Sequence, residues 1–158
     1  MHKLILLAIL FSFNARAETG YVFESDINND GVMDSIVSGP SELFGNAGGP
    51  FIISLSNGKD GFIKKVLGLH PSAVAIDVAN GHPRIWTYWR SSCCFGSLVV
   101  TTLGKQFKEE HIDLYFGESW DSPTVSRDIY HAIFQGKYAI KFKTVENYSV
   151  PKSINGEW

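Results

Sequence analysis

Short apolar runs broken by polar turn residues recur along most of this chain, the pattern of strands. The segments 51–56 (FIISLS), 73–78 (AVAIDV), 85–89 (IWTYW) and 98–103 (LVVTTL) are short and rich in β-branched or aromatic residues. Clusters of Gly, Pro, Asn and Ser separate them, and Asn57-Gly58 and Asn80-Gly81 are turn dipeptides whose residues tolerate positive φ. Further strands are predicted over 21–24, 35–38, 62–67 and 112–116. Another pair, 130–134 and 138–143, flanks a hairpin turn at Gln135-Gly136-Lys137. Residues 122–136 admit a second reading: Ser122-Pro123 as helix start, Val125, Ile129, Ala132 and Ile133 at helical spacing, and Gly136 as stop. The strand reading is adopted because so many neighbouring strands need partners. The expected fold class is all-β, with antiparallel sheets in a sandwich or a partial propeller and little or no helix.

The N-terminus changes that picture in one respect. Lys3, an apolar run over 4–13 and the Ala15-Arg16-Ala17 site read as a signal peptide, 1–17, cleaved on export. The run is too short to cross a bilayer as a helix, so no membrane insertion is expected after cleavage. Residues 18–158 are then a single β-rich domain, periplasmic or secreted. Without Lys3 and Arg16 the 14 basic residues fall to 12 against 16 acidic ones, a formal charge of −4. That balance gives no electrostatic footprint for nucleic acid.

The most distinctive chemistry lies at 26–34, DINNDGVMD. Asp26, Asn28, Asp30 and Asp34 supply oxygen ligands at near-alternate positions, Val32 a backbone carbonyl, and Gly31 a sharp bend. Calcium takes six to eight such hard oxygens, whereas zinc would favour His or Cys. An EF-hand would close with Glu at the twelfth position, which here is Val37, and strands flank the loop in place of helices. The expectation is a structural calcium site outside the EF-hand frame. The alternative is a solvated turn that binds nothing.

The stretch DINNDGVMDSIVSG, with an apolar strand and a glycine after the loop, resembles the calcium loop of FG-GAP/VCBS-type repeats. The resemblance covers about thirty residues, up to the strand in GGPFIISLSNG. It implies a loop-then-strand geometry, ligands at Asp26, Asn28, Asp30, Val32 and Asp34, and an extracellular or envelope setting.

Cys93 and Cys94, the only two cysteines, stand side by side in RSSCCFG. An exported protein meets an oxidising compartment, yet adjacent cysteines close only a small strained ring. A vicinal disulfide, an intermolecular bridge and two buried thiols all remain open. The stretch also resembles a CC-aromatic element of exported bacterial proteins that carry acidic Asp-Gly loops. Catalysis by either thiol would need an activating base, and spacing places none beside it.

The remaining candidates are weaker. His70, His82, His111 and His131 lack paired metal spacing, and no nucleophile elbow or phosphate loop is present. Gly45 to Pro50, GNAGGP, reads as a flexible loop. Glu118 and Asp121 in GESWDSP could serve as glycosidase carboxylates, although two acids in one short loop are usually solvated. Trp86 and Tyr88 share one strand face, and Ile85, Thr87 and Trp89 the other. Trp86, Trp89, Arg90 and Trp120 are the candidate partner surface, since Trp and Arg dominate interfaces. The expected function is a calcium-stabilised, non-enzymatic binding module for an unidentified protein or glycan. The alternative is a periplasmic inhibitor or immunity-type protein that neutralises an envelope-targeting toxin or enzyme.

Overall fold

The computed structural model describes residues 18–58, 61–104, 106–119, 123–154 and 158. The expected signal peptide at 1–17 and the candidates Trp120 and Asp121 lie outside them.

The chain folds as two antiparallel sheets. The first contains β1 (Thr19–Ser25), β2 (Asp34–Ser38), β3 (Gly49–Ser56), β4 (Phe62–Leu69) and β9 (Lys143–Glu146), in the order β4-β3-β2-β1-β9. The second contains β5 (Val74–Ala79), β6 (His82–Arg90), β7 (Phe95–Thr102) and β8 (Lys108–Tyr115), in sequence order. Asn80 and Gly81 both have positive φ and join β5 to β6 with Ala79 opposite His82, the two-residue hairpin predicted from the dipeptide. A short 3-10 turn, Ser41–Leu43, precedes β3.

The two faces of the second sheet bury different partners. Val74 and Ile85 point towards the first sheet and pack with Phe51, Ile53, Leu67 and Leu69, all 9% exposed or less. Their alternates Ala75, Tyr88 and Leu98 form a second core with Leu114, Phe116 and Phe134. What covers that second face is a helix, α1 (Val125–Phe134). The fold is therefore a sandwich-like pair of sheets with one helix on the outside.

That helix corrects the strand expected at 130–134. Thr124 caps it: its side-chain oxygen accepts the Arg127 N–H at 3.3 Å. Tyr130, Ile133 and Phe134, three or four residues apart, face the second core. The segment after it is not the second arm of a hairpin. Ile76 N donates to Tyr138 O and Ile140 N to Val74 O, so 138–140 runs along the free edge of β5. The chain then enters β9 beside β1. Beyond β9 the C-terminal segment returns across the outer face of the first sheet. There Tyr148 lies on Gly20 and donates to Ser38 O at 2.9 Å, and Trp158 packs on Gly39 and Pro50.

Candidate functional site

The acidic loop joins β1 to β2, whose register begins at Ser25 opposite Asp34. Asn29 (φ 59°) and Gly31 (φ 84°) turn the backbone through the left-handed region. The carboxylates then fold back on the loop. Asp26 accepts the N–H groups of Asp30 at 3.0 Å and Gly31 at 2.9 Å, and Asp30 accepts that of Val32 at 2.8 Å. Asn28 takes the Asp30 N–H on its oxygen and donates from its amide to Ser56 O at 2.9 Å. The Val32 N–H, ahead of smaller contributions from Ser56 and Asn28, holds the Asp30 carboxyl below the usual range.

Asp34 behaves differently. It has no exposed surface, and its two oxygens accept Ile27 N at 2.8 Å and Ser56 N at 2.6 Å. It ties the base of the loop to β3, while Ile27 plugs into the core between the sheets. The donor chemistry of the loop suits calcium: oxygen only, and each carboxylate oxygen that accepts one N–H keeps a second lone pair. As folded, the loop is closed by its own hydrogen bonds. Among the described residues no three His, Cys, Asp or Glu side chains gather as a metal-holding group.

The second region is the end of the second sheet where β6 turns into β7. Ser91 N and Ser92 N both donate to Phe95 O at 3.1 Å, and Ser92 Oγ accepts Cys94 N and Phe95 N. Cys93 is exposed at the tip and Cys94 is buried; both are thiols. The Cys94 thiol donates to Glu118 O at 3.3 Å, and Phe116 N donates to Cys94 O at 2.7 Å. A hydrogen bond with the Cys93 sulfur pushes the Cys94 thiol up from its ordinary value, which lowers its thiolate fraction and its reactivity. Glu118 is thus placed beside the cysteine turn through its backbone.

Three aromatic residues at this end are about half exposed: Trp89 51%, Phe95 54% and Tyr115 52%. Phe95 pairs with Tyr115, and their ring centroids lie 4.8 Å apart. Trp89 pairs with Ser97, two residues along from Phe95, so all three side chains leave the same face. Beside them a groove of about 410 Å³ runs between Trp89 and Trp158, with Leu43, Ala47, Val66 and Gly68 along it. The 45–50 segment borders this groove as a tight turn, in which Gly45 and Gly48 exchange backbone hydrogen bonds.

Trp86 does not share that surface. It leaves the opposite face of β6 and is half-buried, its indole N–H donating to Asp77 Oδ1 at 3.1 Å. The Arg84 guanidinium lies over its ring and grips both Asp77 oxygens. Burial raises the Asp77 carboxyl, but the hydrogen bonds from Arg84 and Trp86 outweigh it and leave it lowered. This cross-strand clamp is structural, since Asp77 and Arg84 face each other in the β5–β6 register.

The aromatic strip was only half legible. Trp89 and Arg90 stand out in the sequence, whereas Phe95, Tyr115, Leu43 and Trp158 do not. Phe95 and Tyr115 are exposed because they pair at the ends of β7 and β8, and Leu43 because it sits in the 3-10 turn before β3. Trp158, by contrast, is half-buried against Gly39. Among the described residues no helix is long and apolar enough to cross a membrane. Compared with family models, curated proteins and solved structures, the chain matches none.

Proposed function

We propose that this chain is an exported, non-enzymatic β-rich binding module whose partner docks on the Trp89, Phe95 and Tyr115 face. The observation that carries this reading is the alignment of three half-exposed aromatic side chains on one sheet face beside an apolar groove. Large exposed apolar patches mark interaction sites, and Trp, Tyr and Arg are the residues on which interface energy concentrates. The raised Cys94 thiol is a weaker nucleophile than an unperturbed one.

The test is cross-linking in the intact envelope from a photoreactive residue at position 95, compared with one at Val145 on β9. A defined adduct from position 95, lost on Trp89→Ala in a folded protein, supports the module. Equal labelling from both positions, or an adduct indifferent to Trp89→Ala, refutes it.

The acidic loop belongs to the same proposal as an FG-GAP/VCBS-like staple. Calcium, held by Asp26, Asn28, Asp30, Asp34 and the Val32 carbonyl, would tie the β1–β2 connection and supply no chemistry. A ligand that binds only the folded state must stabilise it, by about 2.7 kcal/mol at a hundredfold excess over Kd. Thermal unfolding in millimolar calcium against chelator therefore gives a higher midpoint with the ion. An unchanged midpoint removes calcium from the proposal and leaves the module reading standing.

A further inference from the structure

The two edges of the second sheet are in different states. Along β5, residues 138–140 take up the outer backbone, with Ile76 N donating to Tyr138 O and Ile140 N to Val74 O. At the other edge β8 pairs with β7, and among the described residues no further strand pairs with it. Lys108 to Asp113 are all exposed. The direction of the backbone groups along β8 follows from its last residues. Phe116 N donates across the ladder to Cys94 O, whereas Tyr115 N donates outwards to Ser126 Oγ at 3.1 Å. An antiparallel ladder alternates, so the N–H and C=O groups of Asp113, His111 and Glu109 also point outwards.

Open edges are commonly guarded by charge, which repels a second strand. On β8 the flanking charges are already partnered within the chain. Lys108 Nζ lies 2.7 Å from Glu110 Oε1, and Lys65 Nζ, reaching across from β4, lies 2.8 Å from Glu109 Oε1. The middle of the edge is left with His111, Ile112 and Asp113, and Ile112 is 46% exposed. Ser97 Oγ donates to one Asp113 oxygen at 2.7 Å, and the second oxygen keeps its accepting capacity.

We infer that β8 is a dimer edge: two copies of the chain pair antiparallel about a two-fold axis at Ile112, joining their second sheets into one. Outward backbone groups must meet outward groups, so the axis falls on a residue and not between two. With the axis at Ile112, His111 faces the partner's Asp113 on both sides. The two residues exchange ladder hydrogen bonds, and the imidazole meets the carboxylate alongside. Ile112 meets its own copy at the close spacing of a non-hydrogen-bonded pair, about 4.5 Å between Cα atoms. Beyond them Glu109 meets the partner's Tyr115, whose N–H is already given to Ser126, so the ladder ends there. The neighbouring registers are repulsive. An axis at His111 sets Glu109 against Asp113 twice, and an axis at Glu110 or Asp113 sets a carboxylate against its own copy. The dimer is independent of the docking reading, since its register is set by His111, Ile112 and Asp113.

The test is sedimentation equilibrium of the chain from residue 18 onwards over a concentration series. A monomer–dimer equilibrium is expected below about 1 mM. His111→Asp sets carboxylate against carboxylate on both sides of the axis and should weaken association by about ten-fold or more. Asp113→His removes the acceptor and weakens it as well. The double exchange, His111→Asp with Asp113→His, rebuilds the same pair in reverse order and should recover the native affinity to within about three-fold. All of these side chains are exposed, so the variants keep their fold, which circular dichroism checks.

Position 112 adds a geometric readout. In a Cys93→Ser background, Ile112→Cys should oxidise to a disulfide-linked dimer, because the axis brings its two Cα atoms within disulfide range. Glu110→Cys in the same background should not, since the register separates it from its copy by about 14 Å along the strands. A chain that stays monomeric at millimolar concentration leaves the edge to a strand of another protein or to none, and overturns the inference. So does a dimer indifferent to His111→Asp, a double exchange that fails to restore association, or linkage through position 110 in place of 112.

Discussion

The acidic loop and the β6–β7 end are both connections between antiparallel strands, and both carry unusual residues, yet they use their side chains in opposite ways. In the loop, the oxygens of Asp26, Asn28 and Asp30 accept backbone N–H groups of the loop itself, and those of Asp34 accept Ile27 N and Ser56 N. At the β6–β7 end the turn is closed by Ser91 and Ser92, while Trp89 and Phe95 stay half exposed. A side chain whose bonding capacity closes its own loop supports folding. One left outside a closed turn is free to meet something else. An ion at the loop would have to share oxygens with N–H donors already in place, whereas Trp89 and Phe95 each keep about half their surface exposed.

The largest effect should come from Asp34→Ala. It strips the acceptor from two buried N–H groups, Ile27 and Ser56, and each orphaned buried donor costs about 1–3 kcal/mol. The loss should be roughly 3 kcal/mol, read as a lower denaturant midpoint at constant slope. Asp34→Asn, which keeps one oxygen, should restore part of it. A loss below about 1 kcal/mol would mean that the loop is not anchored through this residue. Asp26→Ala comes next. Its two N–H partners, Asp30 and Gly31, are exposed and can turn to water, so about 1–2 kcal/mol is expected. If the two substitutions cost the same, the distinction between buried anchor and solvent-side closure fails.

Much of this contrast was visible in the residue pattern, and the rest was not, for physical reasons. Short β-branched and aromatic runs and the Asn-Gly turns located β1 to β8 to within a few residues, because both are local backbone chemistry. Helix α1 was missed because Tyr130, Ala132 and Phe134 alternate as a strand would, while Val125, Ile129 and Ile133 recur as a helix would. The deciding facts are the Thr124 cap and the uncovered face of the second sheet, and the second of these is a tertiary demand. The acidic loop was legible as a turn with inward oxygens. That Asp34 is buried against Ser56, 22 residues away, is a long-range contact that the loop pattern does not encode. Trp86 and Trp89 look equivalent in IWTYW, but one lies beneath Arg84 and the other at the open end of the strand.

Trp89→Ala tests the other side of the comparison. With half its surface in water and no side-chain hydrogen bond to lose, its removal should cost under about 1 kcal/mol of stability. It should also abolish the partner adduct formed from position 95. A loss of stability comparable to that of Asp34→Ala would make Trp89 a core residue and move the proposed docking face elsewhere.

The smallest effect concerns Asp30 and pH. Its carboxyl is held below the ordinary value of 3.8, chiefly by the Val32 N–H. A carboxylate with a depressed pKa in the folded state contributes stability that is fully present above its unfolded value. That contribution is lost as the pH falls through the folded value, because protonation removes the acceptor. The difference in stability between the native chain and Asp30→Asn should therefore be flat above about pH 5 and shrink as the pH drops below 3.8. Because Asp30 stands in solvent, the change is small, and it must fade further at high salt if charge contributes to it. A difference that grows on acidification would mean that Asp30 is repelled by its carboxylate neighbours more than its N–H partners hold it. The loop without an ion would then be under strain, the condition in which calcium would stabilise it most.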